Sequence, residues 1–169
     1  MRLNFRVVFL AVFAACLGLM AFGLYLQHFT HIDPCPLCIL QRYAFVAVGF
    51  TALAAAAHNP GRVGRAVYGV LLTLFAVAGA AVAVRNVWLQ HLPPGQVPEC
   101  GAGLDFMLQS FPLTKALPML FEGSGDCAKV AWTFLGLSIP EWALICFVLF
   151  AAVGVAAAFC PSRRRGWLR

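Results

Sequence analysis

The chain has 169 residues, of which 62% are hydrophobic and only 11% charged. That is too apolar and too thinly charged for a water-soluble domain of this length, and it makes the molecule an integral membrane protein. The net charge of +6 does not call for nucleic acid, because the basic residues are distributed as membrane topology requires.

Four stretches are long enough to cross a hydrocarbon core, which takes about 20 helical residues: residues 7–27, 36–57, 66–89 and 141–160. Glycines recur in them (Gly18, Gly23, Gly49, Gly69, Gly79, Gly154), as expected where helices pack closely in lipid. The pattern predicts an all-α four-transmembrane-helix bundle over residues 1–169 as a single membrane domain, with outer loops at 28–35 and 90–140 and an inner loop at 58–65. The first stretch runs on past Cys16 to Tyr25 without a polar break, longer than a signal-peptide core, so it is expected to be a retained helix.

Between the first and second spans lies Asp33-Pro34-Cys35-Pro36-Leu37-Cys38-Ile39-Leu40-Gln41-Arg42. Pro36 suits the first position of a helix, which puts Cys35 at the cap and Cys38 in the first turn. The unpaired N–H groups there favour an anion, so Cys38 gains thiolate character, the form that attacks disulfides and electrophiles. Arg42, four residues on, is expected on the same face, where a guanidinium supports a thiolate and binds a polar ligand head at the membrane edge. Taken alone, a Cys-x-x-Cys also reads as half a zinc site, a structural disulfide or two unrelated thiols.

The connection at 58–65 carries Arg62 and Arg65. The third span leads into a long outer segment with Pro93, Pro94, Pro98, Pro112 and Pro118, which cannot be one regular element. Within it Leu113, Ala116, Leu117, Leu120 and Phe121 follow helical spacing and predict a short interfacial helix, kinked at Pro118, lying apolar side down on the bilayer. Beyond the fourth span the tail holds Arg163, Arg164, Arg165 and Arg169.

Arg2, Arg6, the two connection arginines and the tail put eight of the twelve basic residues on one side, which the positive-inside rule makes cytoplasmic. Both termini are then cytoplasmic, and Cys35 and Cys38 face outward. Cys16, Cys146 and Cys160 fall within or at the edge of spans and read as packing residues. Cys35, Cys38, Cys100 and Cys127 all lie on the outer side, where an even set of cysteines in an oxidising compartment reads as disulfides. Zinc is disfavoured because only one of the two pairs is closely spaced. Haem is disfavoured because His28 and His91 lie near outer ends and His58 near an inner one, with no two opposed in mid-membrane.

These residues resemble the DsbB-type membrane thiol oxidases. The resemblance covers nearly the whole chain and rests on four spans with both ends inside, on Cys35-Pro36-Leu37-Cys38 followed by Arg42, and on Cys100 and Cys127 in a long second outer loop. Ser124-Gly125-Asp126-Cys127-Ala128 and Trp132-Thr133-Phe134-Leu135-Gly136-Leu137 are also similar to that family's second loop. Vitamin K epoxide reductase-like enzymes fit less well, because their usual order of cysteine pairs is the reverse.

The resemblance implies a bacterial inner-membrane enzyme with periplasmic redox loops that reoxidises a DsbA-like donor and passes electrons to a quinone, ubiquinone or menaquinone, without a metal. It implies redox-active disulfides Cys35–Cys38 and Cys100–Cys127. Cys100 would form the mixed disulfide with the partner, and Cys127 would exchange with Cys35 and free Cys38 to donate to the quinone. Arg42 would hold the quinone head, with His91 as a second residue near it and Arg85 as a possible substitute. Such a relay has a physical rationale, since a strongly oxidising donor is recharged only by a couple of still higher effective potential. The reading from a different class is a non-catalytic or haem-carrying membrane module whose outer loop is stapled by disulfides.

Overall fold

Helix boundaries follow from the residues that can and cannot continue a helix. The computed structural model describes residues 5–29, 34–93, 125–128, 130 and 132–159. In it α1 spans Phe5–Phe29, α2 Pro36–His58 and α3 Arg62–Gln90. A one-turn helix α4 (Gly125–Ala128), strands β1 (Thr133–Phe134) and β2 (Leu137–Ser138), and α5 (Ile139–Phe159) follow. Helices α1, α2, α3 and α5 are each long and apolar enough to cross a membrane, the architecture expected of the sequence. Cys100, the surface helix expected within 113–121, Cys160 and the tail arginines lie outside the described residues.

Hydropathy marks the part of a helix immersed in lipid, whereas the helix itself runs on until a cap stops it, so the expected ends shift. The largest correction is at the inner connection. Expected at 58–65, it consists of Asn59-Pro60-Gly61 alone, and Arg62 and Arg65 belong to the first turns of α3. Asn59 closes α2 in the left-handed region (φ 40°, ψ 55°) with its N–H on Ala55 O at 3.1 Å, a conformation asparagine tolerates better than most residues. Arginines at a helix N-terminus oppose its dipole. Here Arg65 Nε donates to Pro60 O at 3.1 Å and the guanidinium lies 4.8 Å from the centroid of the Phe5 ring, which holds the charge at the helix entrance beside α1.

The core runs between the helices. Phe9, Val12 and Cys16 of α1 meet Phe45, Val48, Ala52, Ala55 and Ala56 of α2, Leu72, Ala76 and Ala83 of α3, and Ala143, Phe147 and Phe150 of α5. Phe45 and Phe147 stack with centroids 4.1 Å apart. Apolar residues such as Leu17, Phe50, Val70, Leu74, Val148 and Leu149 are exposed on the outside, as lipid contact requires. Helices α3 and α5 approach backbone to backbone where Gly69 and Gly154 face each other. A Cβ on Gly154 would stand 2.4 Å from Thr73 Oγ1 and 2.8 Å from Gly69 O, and one on Gly79 would stand 2.5 Å from the Phe147 ring. Small residues substitute here for the hydrophobic drive that lipid cannot give.

A small β-hairpin departs from the otherwise helical plan. Thr133 pairs with Ser138 and Phe134 with Leu137, joined by Leu135 (φ 54°) and Gly136 (φ 81°). Two successive positive φ values make the tight turn whose twist matches the strands. Trp142 Nε1 donates to Phe134 O at 3.1 Å, and Trp132 meets Phe22 edge-on at 5.5 Å, so the hairpin bridges α5 and α1. Glu141 Oε2 accepts from the Ser138 N–H at 2.6 Å, one half of a capping box that starts α5.

Candidate active site

The site is built at the N-terminus of α2, as Pro36 dictates. Cys35 is the cap residue, extended at φ −65° and ψ 160°, and its Sγ accepts from the Cys38 backbone N–H at 3.4 Å. The three-residue spacing turns both sulfurs to one side, and Cys35 Sγ donates to Cys38 Sγ at 2.9 Å. The third sulfur comes from far along the chain. Cys127 of α4 is 1% exposed and packs with Leu37 of α2 and Val82 and Leu89 of α3, against which Cys35 itself rests. Its side chain hydrogen-bonds Cys35.

Three sulfurs thus stand in a row, with Cys35 in the middle touching both others. The bond from Cys127 favours the Cys35 anion. The bond to Cys38, burial and the nearby Cys38 charge outweigh it, and the Cys35 thiol is pushed up to about 12. A proton held so tightly on Cys35 suits a sulfur that is attacked rather than one that attacks. Cys38 is the end of the row, accepting from Cys35 on one side and from Asn86 Nδ2 of α3 at 3.4 Å on the other. Asn86 Nδ2 also lies 3.7 Å from Cys35 Sγ.

Arg42 does not follow the expected direction. Its Nη1 donates to Gln27 Oε1 at 2.7 Å and its Nη2 to Gly23 O at 3.1 Å, both on α1. Four residues along a helix turn a side chain by about 40°, enough for the long arginine to lean to α1 while Cys38 leans to α3. His91 is exposed and caps α3, with Nδ1 on Val87 O at 2.8 Å. Arg85 lies 4.3 Å from the centroid of the Trp88 ring. Cys16 belongs to the helix core and Cys146 packs against it, a cluster separate from the one holding Cys127.

Two side chains at the site went unnoticed in the sequence. Asn86 is fully buried with Oδ1 unpartnered, and Gln41, one turn beyond Cys38, is 3% exposed with Nε2 unpartnered. Both are uncharged amides inside apolar spans, where an unsatisfied polar group is costly. That cost was the available signal, and a reading attentive to charges and cysteines passes over it.

The family model described as disulfide bond formation protein DsbB matches residues 5–157. Disulfide bond formation protein B of Aromatoleum aromaticum is 54% identical over 161 residues, covering 95% of each chain. That of an Azoarcus species is 59% identical over 144 residues, 85% of this chain and 86% of its own, and that of Hahella chejuensis is 51% identical over 148 residues, 88% and 90%. With a match of that extent and a Cys-x-x-Cys at a helix mouth reached by a loop cysteine, the chain belongs to the disulfide bond formation protein DsbB family.

Proposed function

We infer that the protein is a quinone-dependent thiol oxidase of the bacterial inner membrane, which reoxidises a periplasmic DsbA-like disulfide donor. The observation that carries this reading is the contact of Cys127 with Cys35, whose sulfur also touches Cys38. A loop cysteine resting on the middle sulfur of the row is arranged for thiol–disulfide exchange between loop and helix. The eight basic residues near the inner ends support cytoplasmic termini and a periplasmic redox face.

The relay starts with Cys35–Cys38 and Cys100–Cys127 oxidised. A thiolate of the reduced partner attacks Cys100, forming a mixed disulfide and releasing Cys127 as thiolate. Cys127 attacks Cys35, so the Cys35–Cys38 bond breaks, a Cys35–Cys127 bond forms and Cys38 leaves as thiolate. The partner's second thiol resolves the mixed disulfide, and the freed Cys100 attacks Cys127, restoring Cys100–Cys127 and returning Cys35 to the thiol state. Two electrons and two protons, taken from the partner, now reside on Cys35 and Cys38. Cys38 and Cys35 would give up these two electrons and two protons as Cys35–Cys38 re-forms, and a quinone held at this end would supply the acceptor.

The residues present fit such a group. Gln41 Nε2 is a buried donor without a partner one turn from Cys38. Of the five N–H groups of a guanidinium, those of Arg42 are engaged with α1 at Nη1 and Nη2, leaving donors of the kind a quinone carbonyl accepts. His91, at the end of α3, is a candidate third contact.

The test is turnover in lipid with a reduced DsbA-like protein. One partner disulfide should appear per quinol, and in Cys127→Ala the Cys100 thiolate, offered the oxidised partner, should open its disulfide and hold it as a mixed disulfide that Cys127 is not there to resolve. Partner oxidation that proceeds equally without quinone would sink the acceptor assignment.

A further inference from the structure

Asn86 is out of place for packing alone. It is fully buried, and along α3 its face continues through Val82, Ala83 and Leu89, all buried and apolar. A buried amide with an unpartnered Oδ1 is less stable than an aliphatic side chain of like volume would be. What the amide does have is two N–H groups aimed at two sulfurs, 3.4 Å from Cys38 and 3.7 Å from Cys35.

The two sulfurs differ in what else they receive. Cys35 receives from the Cys127 side chain and the Cys38 backbone N–H and gives its own hydrogen toward Cys38, so the side-chain donors at Cys38 are Cys35 and Asn86. Once Cys35 is bonded to Cys127 it has no hydrogen to give, and Asn86 Nδ2 is the side-chain donor left at Cys38 among the described residues. We propose that Asn86 is the thiolate donor of this site: its Nδ2 amide holds Cys38 as an anion while Cys35 is taken by Cys127, and so selects Cys38 as the sulfur that meets the electron acceptor. The orientation is specific to an anion. Turned over, the amide would offer Oδ1, which serves a thiol S–H but repels a thiolate.

The other groups around Cys38 are accounted for. Its titratable neighbours among the described residues are Cys35 of the cap and Cys127 of α4, Arg42 of α2 turns to α1, and Arg85 of α3 lies on Trp88. None of them duplicates the Asn86 amide.

The test is the pH profile of Cys38 alkylation, resolved by mass spectrometry in the fully reduced, full-length protein in lipid and normalised to the unfolded chain. In the wild type Cys38 should titrate below Cys35. Asn86→Leu should move the Cys38 midpoint up by about one to two pH units, the worth of a hydrogen bond to a charged group. Asn86→Asp, isosteric but lacking the donor, should move it further, and Asn86→Gln should restore at least half of the shift. A merely structural asparagine would leave the midpoint unmoved in every folded variant, and a wild-type profile in Asn86→Asp overturns the proposal. So does a wild-type Cys38 midpoint equal to or above that of Cys35, which requires no variant to fold. The role deepens the proposed function but is read without quinone. Failure of the profile removes Asn86 alone, and failure of quinone-dependent turnover removes the acceptor alone.

Discussion

Arg42→Gln tests the link between helix anchoring and ligand binding. The wild-type guanidinium makes two bonds to α1, at 2.7 Å to Gln27 Oε1 and 3.1 Å to Gly23 O, and each hydrogen bond from a charged group is worth about 1.5–3 kcal/mol. A shorter neutral amide cannot hold both, so thermal stability should fall by roughly one such bond. If the remaining N–H groups hold the quinone head, the quinone KM should also rise roughly ten- to a hundredfold, the same energy expressed on a ligand. Gln27→Leu separates the two effects, since it removes the 2.7 Å anchor and leaves the guanidinium in place. It should lower stability while changing KM by less than about threefold. Arg42→Lys should fall between, keeping the charge and losing the planar fork. The assay is quinol formation against a short-chain quinone series, beside a single round of quinone-free exchange with the reduced partner, which should be unaffected because that exchange occurs at the loop cysteines. An unchanged KM in Arg42→Gln, with stability lowered, would refute the ligand role and leave Arg42 as an anchor.

Serine at Cys35, Cys38 or Cys127 should abolish quinone-linked turnover, whereas Cys16→Ala with Cys146→Ala should retain most of it; a folded but inactive double variant would show that the core cysteines had been misassigned. Gly154→Ala places a methyl 2.4 Å from Thr73 Oγ1 and 2.8 Å from Gly69 O and should destabilise by about 1–3 kcal/mol as overpacking does. Gly18→Ala, with nothing within 4 Å, should be neutral or slightly stabilising in the same thermal assay. In the reduced protein the Cys35 thiol, pushed up to about 12, should stay protonated and slow to alkylate through the ordinary thiol range, reacting only as pH rises toward that value. Cys38→Ala removes the Cys35-to-Cys38 bond and the Cys38 charge, both of which raise the Cys35 value, and should bring its midpoint down; no movement would contradict the hydrogen-bonded row.

The four spans and the placement of Cys35 and Cys38 were legible because they depend on local rules: apolar length, and proline at a helix start. The sorting of Cys16 and Cys146 from the loop cysteines followed from depth in the membrane, which hydropathy reports directly. The inner connection was misjudged because charge is a poor marker of where a helix begins, and Arg62 and Arg65 remain helical while their heads reach the surface. Arg42 was expected on the face of Cys38 and turns instead to α1, because i, i+4 spacing fixes a direction on a cylinder and not which adjacent helix a long side chain meets. The seating of Cys127 on Cys35 depends on contacts 92 positions apart in sequence. Only the family resemblance could anticipate that pairing, and nothing in periodicity could. Asn86 escaped for a related reason: its meaning comes from the sulfurs on the facing helix.

The brevity of Asn59-Pro60-Gly61 matters most at the opposite end of the protein. Cys38 lies about 30 Å up α2 from His58, and Asn86 about 36 Å up α3 from Arg62, at 1.5 Å per residue. With no slack in the turn, each helix acts as a measuring rod, and a corner on one side of the bilayer sets how a sulfur and an amide meet on the other. One residue added at the foot of α3 would advance Asn86 by about 1.5 Å and swing it by about 100°, carrying it off Cys38 without altering any residue near the cysteines. Variation in length at that corner is therefore constrained by the chemistry at the far ends of the helices, and a neutral-looking insertion there would act as an active-site mutation at a distance.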